Sequence, residues 1–254
     1  MVRPKKHLGQ HFLRDENIAR KIVSFINHEF PLILEIGPGL GILSKYLLQD
    51  PGLEPFFMEV DGESVDYLVE HYPAISRRLF RADFLEVNLN LFPPAAAGKK
   101  FSIVGNFPYN ISTQILFRVL ENRNRIPEVI GMFQKEVAER IAAPHGNKKY
   151  GIISVLLQAY YSIDYLFTVN ETVFYPPPRV KSAVIRLKRN EVDHLGCDEL
   201  LFVKVVKMAF NQRRKTLRNA LKPMLPSGLT HDYLTLRAEQ LSVHDFITLT
   251  NLLS

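Results

Sequence analysis

The sequence predicts an α/β fold: a parallel sheet covered by helices, followed by a small all-helical domain. Short apolar runs alternate with helical stretches through most of the chain, as is typical of strands buried on both faces of a sheet. The first apolar run ends in a glycine-rich loop at residues 37–41, and after about Asn190 only helical periodicity remains. We therefore predict a sheet domain at residues 1–190 and a helical domain at residues 191–254.

The elements of the sheet domain follow from hydrophobic period and flanking residues. A first helix is expected from about Asp15 to Asn27, because isoleucines recur four residues apart and Asp15 is a suitable N-cap. The five predicted parallel strands are LILEI, PFFMEV, RLFRAD, FSIVG and EVIGMFQ. The helices that follow strands are ILSKYLLQ, GESVDYLVEHY, STQILFRVLE and KEVAERIAA.

The last part of the chain is predicted to contain a hairpin and then helices. The segments SIDYLFTV and SAVIRL are separated by YPPPRV. We expect them to form an antiparallel hairpin at the sheet edge, with the prolines confined to its connection. Three helices are expected at residues 198–211, 213–221 and 243–253, because their apolar residues recur at helical spacing.

Composition excludes few classes of protein. The chain has 254 residues, of which 46% are hydrophobic, and its formal net charge is +6. A modest positive charge is compatible with a polyanionic partner, but many proteins without one share it. The single cysteine, Cys197, excludes an internal disulfide and fits a reducing compartment. No segment resembles a signal peptide or a membrane span, so a cytoplasmic protein is expected. A monomer is the default expectation, and no metal site is predicted.

Glycines and acids at successive strand ends predict a nucleoside site. The loop has the spacing G-x-G-x-G, which differs from the dinucleotide pattern G-x-G-x-x-G of the rival dehydrogenase interpretation. Glu35 lies at the end of the strand before this loop and is the first of three strand-end acids. Glu59 ends the second strand, where an acid would bind ribose hydroxyls. Asp83 follows the third and could accept from an adenine amino group. A single such acid would be read as a solvated loop charge, but together they predict an adenosine-containing ligand without a pyrophosphate.

The four residues Asn106-Phe107-Pro108-Tyr109 follow the fourth strand. The Asn106 side-chain oxygen and the Phe107 carbonyl can accept both protons of an exocyclic amine, because Pro108 contributes no competing N–H. Holding those protons favours a pyramidal nitrogen with an available lone pair, and Tyr109 offers a face on which a base can stack. As an isolated match, these residues would be an ordinary turn with core aromatics. At a strand end beside a nucleoside site, they predict a clamp for the amino group of a base.

Seven segments, in order along almost the whole chain, resemble the small-subunit ribosomal RNA adenine dimethyltransferase family. They are GQHFL, EIGPGLG, GNFPYNIS, QKEVAERI, YGIISVLLQ, FYPPPRVKSAV and AFNQRRKTLRNAL. The resemblance implies a Rossmann-like S-adenosylmethionine-dependent methyltransferase sheet. It also implies two adjacent adenosines, in the loop of the 3′-terminal helix of small-subunit rRNA, as the N6 methylation targets. The implied partner is an immature small ribosomal subunit.

The resemblance also implies roles for individual residues. Those expected around S-adenosylmethionine are His11, Leu13, Gly37, Glu59, Asp83 and Asn106. Gly37 would approach the methionine part, Glu59 the ribose and Asp83 the adenine, while Asn106 would lie between donor and acceptor. Phe174 would help to hold the target adenine opposite Tyr109. A core phenylalanine beside a proline turn is an equally good interpretation of Phe174.

Basic residues near the start of the helical domain are candidates for RNA contact. They are Arg213, Arg214, Lys215, Arg218 and Lys222. Arg214 and Arg218 are expected to share a helical face, with Phe210, Leu217 and Leu221 on a buried one. Other basic residues cluster near the N-terminus and after the prolines. A charge run is often only a solvated face, but clusters flanking one proposed pocket predict phosphate contacts.

Two further alternatives remain open from the sequence. A large-subunit rRNA adenine methyltransferase of the antibiotic-resistance type would share the glycine loop and the amine clamp, although the segment AFNQRRKTLRNAL argues against it. A chiefly non-catalytic ribosome-assembly factor would use the same RNA contacts without needing methyl transfer.

Overall fold

The computed structural model describes residues 2–92 and 98–254. The chain forms two compact units. The sheet unit comprises Met1–Ala138 and Asp164–Arg189, and the helical unit comprises Glu139–Ile163 and Asn190–Ser254. Among the helices in the described ranges, none is long and apolar enough to cross a membrane.

The sheet has seven strands within the described residues and is mostly parallel. Its strands are β2 (Leu32–Ile36), β3 (Glu54–Glu59), β4 (Leu79–Arg81), β5 (Ser102–Asn106), β6 (Glu128–Gln134), β7 (Tyr161–Val169) and β9 (Ser182–Arg189). The order is β4-β3-β2-β5-β6-β9-β7. The pairs among β4, β3, β2, β5 and β6 are parallel, whereas β9 is antiparallel to β6. A separate short pair joins β1 (Phe12–Leu13) to β8 (Phe174–Tyr175).

The predicted α/β fold class is confirmed. All five apolar runs form strands, and β2 is buried at every position, because helices cover both faces of a parallel sheet. The two later strands are neighbours at one edge of the sheet, with β7 outermost. The proline segment lies between them, outside the main sheet, as the prolines require.

The helices follow the predicted order with three differences. They are α1 (Glu16–Val23), α2 (Ile42–Gln49), α3 (Gly62–His71), α4 (Ser112–Glu121), α5 (Lys135–Ala142), α6 (Ile152–Gln158), α7 (Glu199–Asn211), α8 (Leu217–Ala220) and α9 (Val243–Leu252). Asp15 caps α1 as predicted, accepting from the backbone N–H groups of Asn17 and Ile18. That helix ends at Val23 rather than Asn27, because the chain continues in tighter i→i−3 turns at residues 25 and 26. The unpredicted α6 buries five consecutive residues, so its sequence lacks a polar helical face.

The helix predicted at residues 213–221 is wrong over its first half. Residues 213–215 form a turn, and only Leu217–Ala220 are helical. Thr216 is extended, with φ −67° and ψ 157°, and the next backbone N–H donates to the carbonyl oxygen of Leu236 at 2.8 Å. That bond to a distant carbonyl replaces the helical one, so Arg214 and Arg218 do not share a helical face.

The helical unit is built from two separate stretches of chain, whereas the sequence predicts one division near residue 190. Residues 139–163 cluster with the C-terminal helices. Within this unit α6 packs against α7 and α9, and Tyr150 is buried with its ring edge-on to Phe210. The apolar surface of α6 therefore supplies part of the core of the helical unit.

Candidate active site

A cavity opens at the carboxyl ends of the central strands, where open α/β sheets bind ligands. All six residues predicted to surround the donor line it: His11, Leu13, Gly37, Glu59, Asp83 and Asn106. The three residues that follow Asn106 also line it. The fold therefore brings together residues that are far apart in the sequence, because the parallel strands end at the same edge.

The glycine loop after β2 turns sharply and leaves room at one position. Gly37, Gly39 and Gly41 all have positive φ, of 66°, 57° and 78°. A Cβ at Gly39 would meet the Phe12 ring at 3.0 Å, and one at Gly41 would meet the Tyr72 ring at 2.6 Å. A Cβ at Gly37 would have no heavy atom within 4 Å. Gly37 therefore opens onto the cavity, and its backbone is accessible to a ligand.

Two carboxylates at strand ends are held in fixed orientations. Glu59 is buried, and its oxygens accept from the backbone N–H groups of Asp61 at 2.9 Å and Gly39 at 3.0 Å. Burial raises the pKa of Glu59, and these bonds oppose the shift. Asp83 Oδ1 accepts from Leu85 N at 2.8 Å, which leaves Oδ2 available to a ligand. A carboxylate oxygen can accept a second hydrogen bond, so both groups remain able to bind hydroxyl or amino protons.

Glu35 and Val60 also line the cavity. The sequence offered Glu35 only as a strand-end acid without an assigned contact, and it did not predict Val60. Glu35 is only 2% exposed, and its Oε2 accepts from Ser44 Oγ at 2.6 Å. Burial raises the pKa of Glu35 to about 8. Val60 is 48% exposed, so a flat ligand in the cavity can cover its side chain. The sequence signal for both residues was their place at strand ends, beside the glycine loop and Glu59.

The Asn106 carboxamide is oriented by the N-terminal segment. Its Nδ2 donates to the His11 carbonyl oxygen at 2.8 Å. Because that contact uses the donor atom of the amide, Oδ1 remains as an acceptor in a side chain that lines the cavity. The next backbone N–H, that of Phe107, donates to Met132 O at 3.2 Å. The loop is therefore anchored to β6 beside the two carbonyl oxygens of the predicted clamp.

The two aromatic side chains of the clamp segment have different environments. Phe107 is buried, and its ring lies edge-on to Phe133 at 5.1 Å between centroids. Tyr109 is anchored by its hydroxyl, 2.5 Å from Ser182 Oγ, and one ring face stacks on His11 at 5.3 Å. A base could therefore stack only on the other face of Tyr109.

The N-terminal segment is fastened across the carboxyl end of the sheet. Lys5 Nζ and Gln10 Nε2 both donate to Asp61, at 2.5 and 3.2 Å. His11 Nδ1 lies 2.7 Å from the Pro176 carbonyl oxygen. Because a carbonyl only accepts, Nδ1 carries the proton. These contacts place residues 8–13 along one wall of the cavity.

A second cavity adjoins the first. Both are lined by Gly9, Gln10, His11 and Tyr109. The wall of the second cavity also contains Tyr175 and the cations Lys6 and Arg179, and no acidic residue of the described chain lines it. Phe174 directly precedes Tyr175 in the sequence but lines neither cavity. That ring is 3% exposed and belongs to the hydrophobic core, so its predicted contact with the target adenine stays a prediction.

The residues predicted to contact RNA differ in their surroundings. The exposed ones are Arg214, Lys215, Arg218 and Lys222. Arg213 is half-buried, and its guanidinium donates to the carbonyl oxygens of Lys148 and, at 2.9 Å, Tyr150. Arg213 therefore holds a loop of its own unit. Within residues 2–92 and 98–254, no group of three or more histidine, cysteine or acidic side chains is placed to hold a metal ion.

Comparison with known proteins gives concordant matches. A family model described as ribosomal RNA adenine dimethylase matches residues 1–253. The curated ribosomal RNA small subunit methyltransferase A of Cytophaga hutchinsonii is 56% identical over 257 residues, covering 100% of this chain and 98% of its own. The protein of the same name from Bacteroides thetaiotaomicron is 55% identical, covering 99% and 94%.

Solved structures match the fold. A dimethyladenosine transferase from Plasmodium falciparum has a TM-score of 0.77 at 22% identity, covering 94% of this chain and 96% of its own. The 23S rRNA methyltransferase ErmE has a TM-score of 0.69 at 22% identity, covering 94% and 99%. The predicted methyltransferase fold is therefore confirmed.

Proposed function

Because the chain belongs to the ribosomal RNA adenine dimethylase family, we propose that it transfers methyl groups from S-adenosylmethionine to the N6 amines of two adjacent adenosines. These lie in the loop of the 3′-terminal helix of small-subunit rRNA. The supporting observation is the Asn106 carboxamide, whose Nδ2 donates to His11 O while Oδ1 remains an acceptor in a side chain that lines the cavity at the strand ends. The protein is an rRNA adenine N6,N6-dimethyltransferase.

The donor site fits S-adenosylmethionine at each of its parts. The open space at Gly37 admits the methionine part, the fixed carboxylate of Glu59 accepts from the ribose hydroxyls, and Asp83 Oδ2 accepts from the adenine amino group. The exposed side chain of Val60 covers a face of the adenine. When bound, S-adenosylmethionine supplies an electrophilic methyl group on a sulfonium, which is a good leaving group.

The acceptor chemistry rests on two oxygens, Asn106 Oδ1 and the carbonyl oxygen of Phe107. In the first transfer each accepts one proton of the target amine, and in the second the single remaining N–H donates to one of them. These bonds draw the nitrogen out of conjugation with the base and direct its lone pair at the methyl group. The nitrogen–methyl bond forms as the sulfonium–methyl bond breaks, and the alkylated nitrogen then loses a proton to water. Because the amine becomes acidic only after alkylation, no strong base is needed before transfer. Alignment of this kind supplies about 7–11 kcal/mol in well-oriented systems.

We expect the RNA substrate to bind in the second cavity. The target adenine leaves its stack to reach Asn106, as bases do in other base-modifying enzymes, and it stacks on the free face of Tyr109. Phe174 supports this site from the hydrophobic core, where its strand partner Leu13 lines the donor cavity. Lys6 and Arg179 in the cavity wall and the exposed basic residues of the helical unit contact phosphates, which position the RNA without reading its sequence. The substrate is an immature small subunit, and the protein acts as a cytoplasmic monomer.

A large-subunit substrate has less support. The likeness to ErmE is at 22% identity and supports only the fold, whereas the relatives named as small-subunit enzymes are 55–56% identical over nearly their whole length. A nicotinamide-dependent dehydrogenase is not favoured by any feature of the cavity, since the loop lacks the dinucleotide spacing.

The test is transfer of labelled methyl groups to purified, unmethylated small and large ribosomal subunits. Mass spectrometry of the digested rRNA should place two methyl groups on each of two adjacent adenosines near the 3′ end of the small-subunit RNA. Label in the large-subunit RNA, or in neither, would overturn the proposal.

A further inference from the structure

Tyr175 is an exposed aromatic side chain beside the site, and nothing in the proposed reaction uses it. It is 44% exposed, whereas the preceding Phe174 is 3% exposed. Consecutive residues of a strand face opposite sides, and β8 is held in register by its pairing of Tyr175 with Phe12. The buried neighbour therefore fixes the strand so that the Tyr175 ring projects into the second cavity.

One face of the Tyr175 ring is already covered. The Arg14 guanidinium carbon lies 4.2 Å from the ring centroid, a favourable cation–π geometry. The backbone N–H of Arg14 donates to Val173 O at 2.8 Å, so both partners are fixed to the same pair of strands. With one face against Arg14 and nearly half of the side chain exposed, the ring is preorganised to accept a flat partner on its other face.

The wall around Tyr175 has the composition of a single-strand nucleic-acid site. The cations Lys6 and Arg179, the amide of Gln134 and the ring of Tyr109 line the same cavity. No acidic side chain of the described chain lines it. Aromatic faces combined with positive charge bind single-stranded RNA, because bases stack on the rings while phosphates contact the cations.

We propose that Tyr175 stacks on the nucleotide adjacent to the target adenosine, so that one nucleotide occupies the clamp while its neighbour is held in the second cavity. The inference rests on the proposed function and deepens it. The two cavities share His11 and Tyr109 as walls, so an RNA strand with one base near Asn106 continues directly into the second. Because stacking does not depend on base identity, the same ring can hold the neighbouring nucleotide whichever of the two adenosines occupies the clamp.

Tyr175 is therefore a positioning residue, which holds RNA and does not touch the transferring atoms. The test compares Tyr175→Ala with Tyr175→Phe in the full-length protein. Its substrates are small subunits assembled from rRNA whose 3′ end is a ligated synthetic oligonucleotide. In two of these substrates an abasic nucleotide replaces one or the other of the two adjacent adenosines, so that the remaining adenosine is the only target.

On normal subunits Tyr175→Ala should raise KM for the subunit about tenfold, a factor that corresponds to about 1.4 kcal/mol and lies within the usual energy of one base stack. The kcat of this variant and its affinity for S-adenosylmethionine should be unchanged, and Tyr175→Phe should match the wild type. In at least one abasic arm the wild-type KM should rise to the same extent, and Tyr175→Ala should cause no further rise.

Three results would contradict the proposal. The first is an equal rise in KM for Tyr175→Ala on normal subunits and in both abasic arms. The second is a loss in Tyr175→Phe as large as that in Tyr175→Ala, since the ring would then not be the operative group. The third is a change confined to kcat. If the wild-type protein methylated none of the subunits, the proposed function would itself be overturned, and this inference with it.

Discussion

The carboxyl group of Glu35 lies in a position that usually excludes charge. It is 2% exposed, and it accepts a hydrogen bond from the Ser44 hydroxyl at 2.6 Å. One neutral hydrogen bond does not replace the hydration of a carboxylate, so burial raises its pKa to about 8, and the nearby Glu59 adds to the shift. The sequence placed Glu35 at a strand end. Its burial was not predictable, because it depends on how α2 packs Ser44 against β2.

Replacing Glu35 by glutamine should remove a pH-dependent cost of folding. Because the folded pKa is raised above the ordinary value of 4.5, the folded state binds more protons than the unfolded state between these values. The wild-type protein is therefore not destabilised by Glu35 below about pH 4.5, and it loses stability progressively as pH rises from there towards 8. The slope of this loss approaches about 1.4 kcal/mol per pH unit.

Urea unfolding of wild type and Glu35→Gln from pH 5.5 to 8 measures this difference. As pH rises, the free energy of unfolding of the variant should increase relative to that of the wild type. The exposed Glu86→Gln variant is the control and should follow the wild type. A constant difference between Glu35→Gln and wild type would contradict the assignment.

At the scale of the element, the clamp loop is positioned by a pair of strand glycines. Gly105 of β5 lies opposite Gly131 of β6, and the Phe107 ring fills the space that side chains would occupy there. A Cβ at Gly105 would lie 2.8 Å from this ring, and one at Gly131 would lie 2.3 Å from it. The sequence predicted both strands, but not this pair, because strand register cannot be read from either run alone.

Gly131→Ala should displace the Phe107 ring and, with it, the carbonyl of the clamp. We expect the free energy of unfolding to fall by about 1–3 kcal/mol, the usual cost of overpacking a core, and kcat to fall as well. Phe107→Leu in the same chain should restore part of both, since a smaller side chain relieves the contact. Gly151→Ala, whose Cβ would meet its nearest atom at 4.0 Å, is the control. Wild-type stability and kcat in Gly131→Ala would show that the ring does not position the loop.

At the scale of the whole molecule, the sequence predicted the sheet, its glycine loop and the strand-end acids, because each depends on local pattern and on the rule that parallel strands end at one edge. It predicted neither the membership of residues 139–163 in the helical unit nor the short α8. The apolar run of α6 has no polar face to reveal its partner, and the turn at residues 213–215 depends on a bond to the distant Leu236.

We expect Arg214, and not Arg213, to contribute to the electrostatic part of RNA binding. Arg214→Ala should leave the free energy of unfolding within about 0.5 kcal/mol of the wild type. It should also reduce the slope of log K against log[salt] for small-subunit binding by about 0.7–0.9. Arg213→Ala should lower the free energy of unfolding by about 1 kcal/mol or more, because it removes donors from two backbone carbonyls.

Urea unfolding and salt-titrated binding of the two variants separate these roles, and each variant is the control for the other. An unchanged salt slope in Arg214→Ala would leave that residue as a solvated charge. Unchanged stability in Arg213→Ala would show that its contacts to the loop contribute nothing.

The most direct measurement is single-turnover methyl transfer to small subunits by Asn106→Ala, with its affinity for S-adenosylmethionine measured alongside. The matched control is Asn110→Ala. Its carboxamide also donates to a carbonyl of the N-terminal segment, that of His7 at 3.2 Å, but Asn110 does not line the cavity.

The transfer rate of Asn106→Ala should fall by about a hundredfold or more, as when one preorganised transition-state contact is removed. Its donor affinity should change little, and Asn110→Ala should keep the wild-type rate. A near-normal rate in Asn106→Ala at saturating substrates, or an equal loss in Asn110→Ala, would contradict the role of the Asn106 oxygen in the transfer.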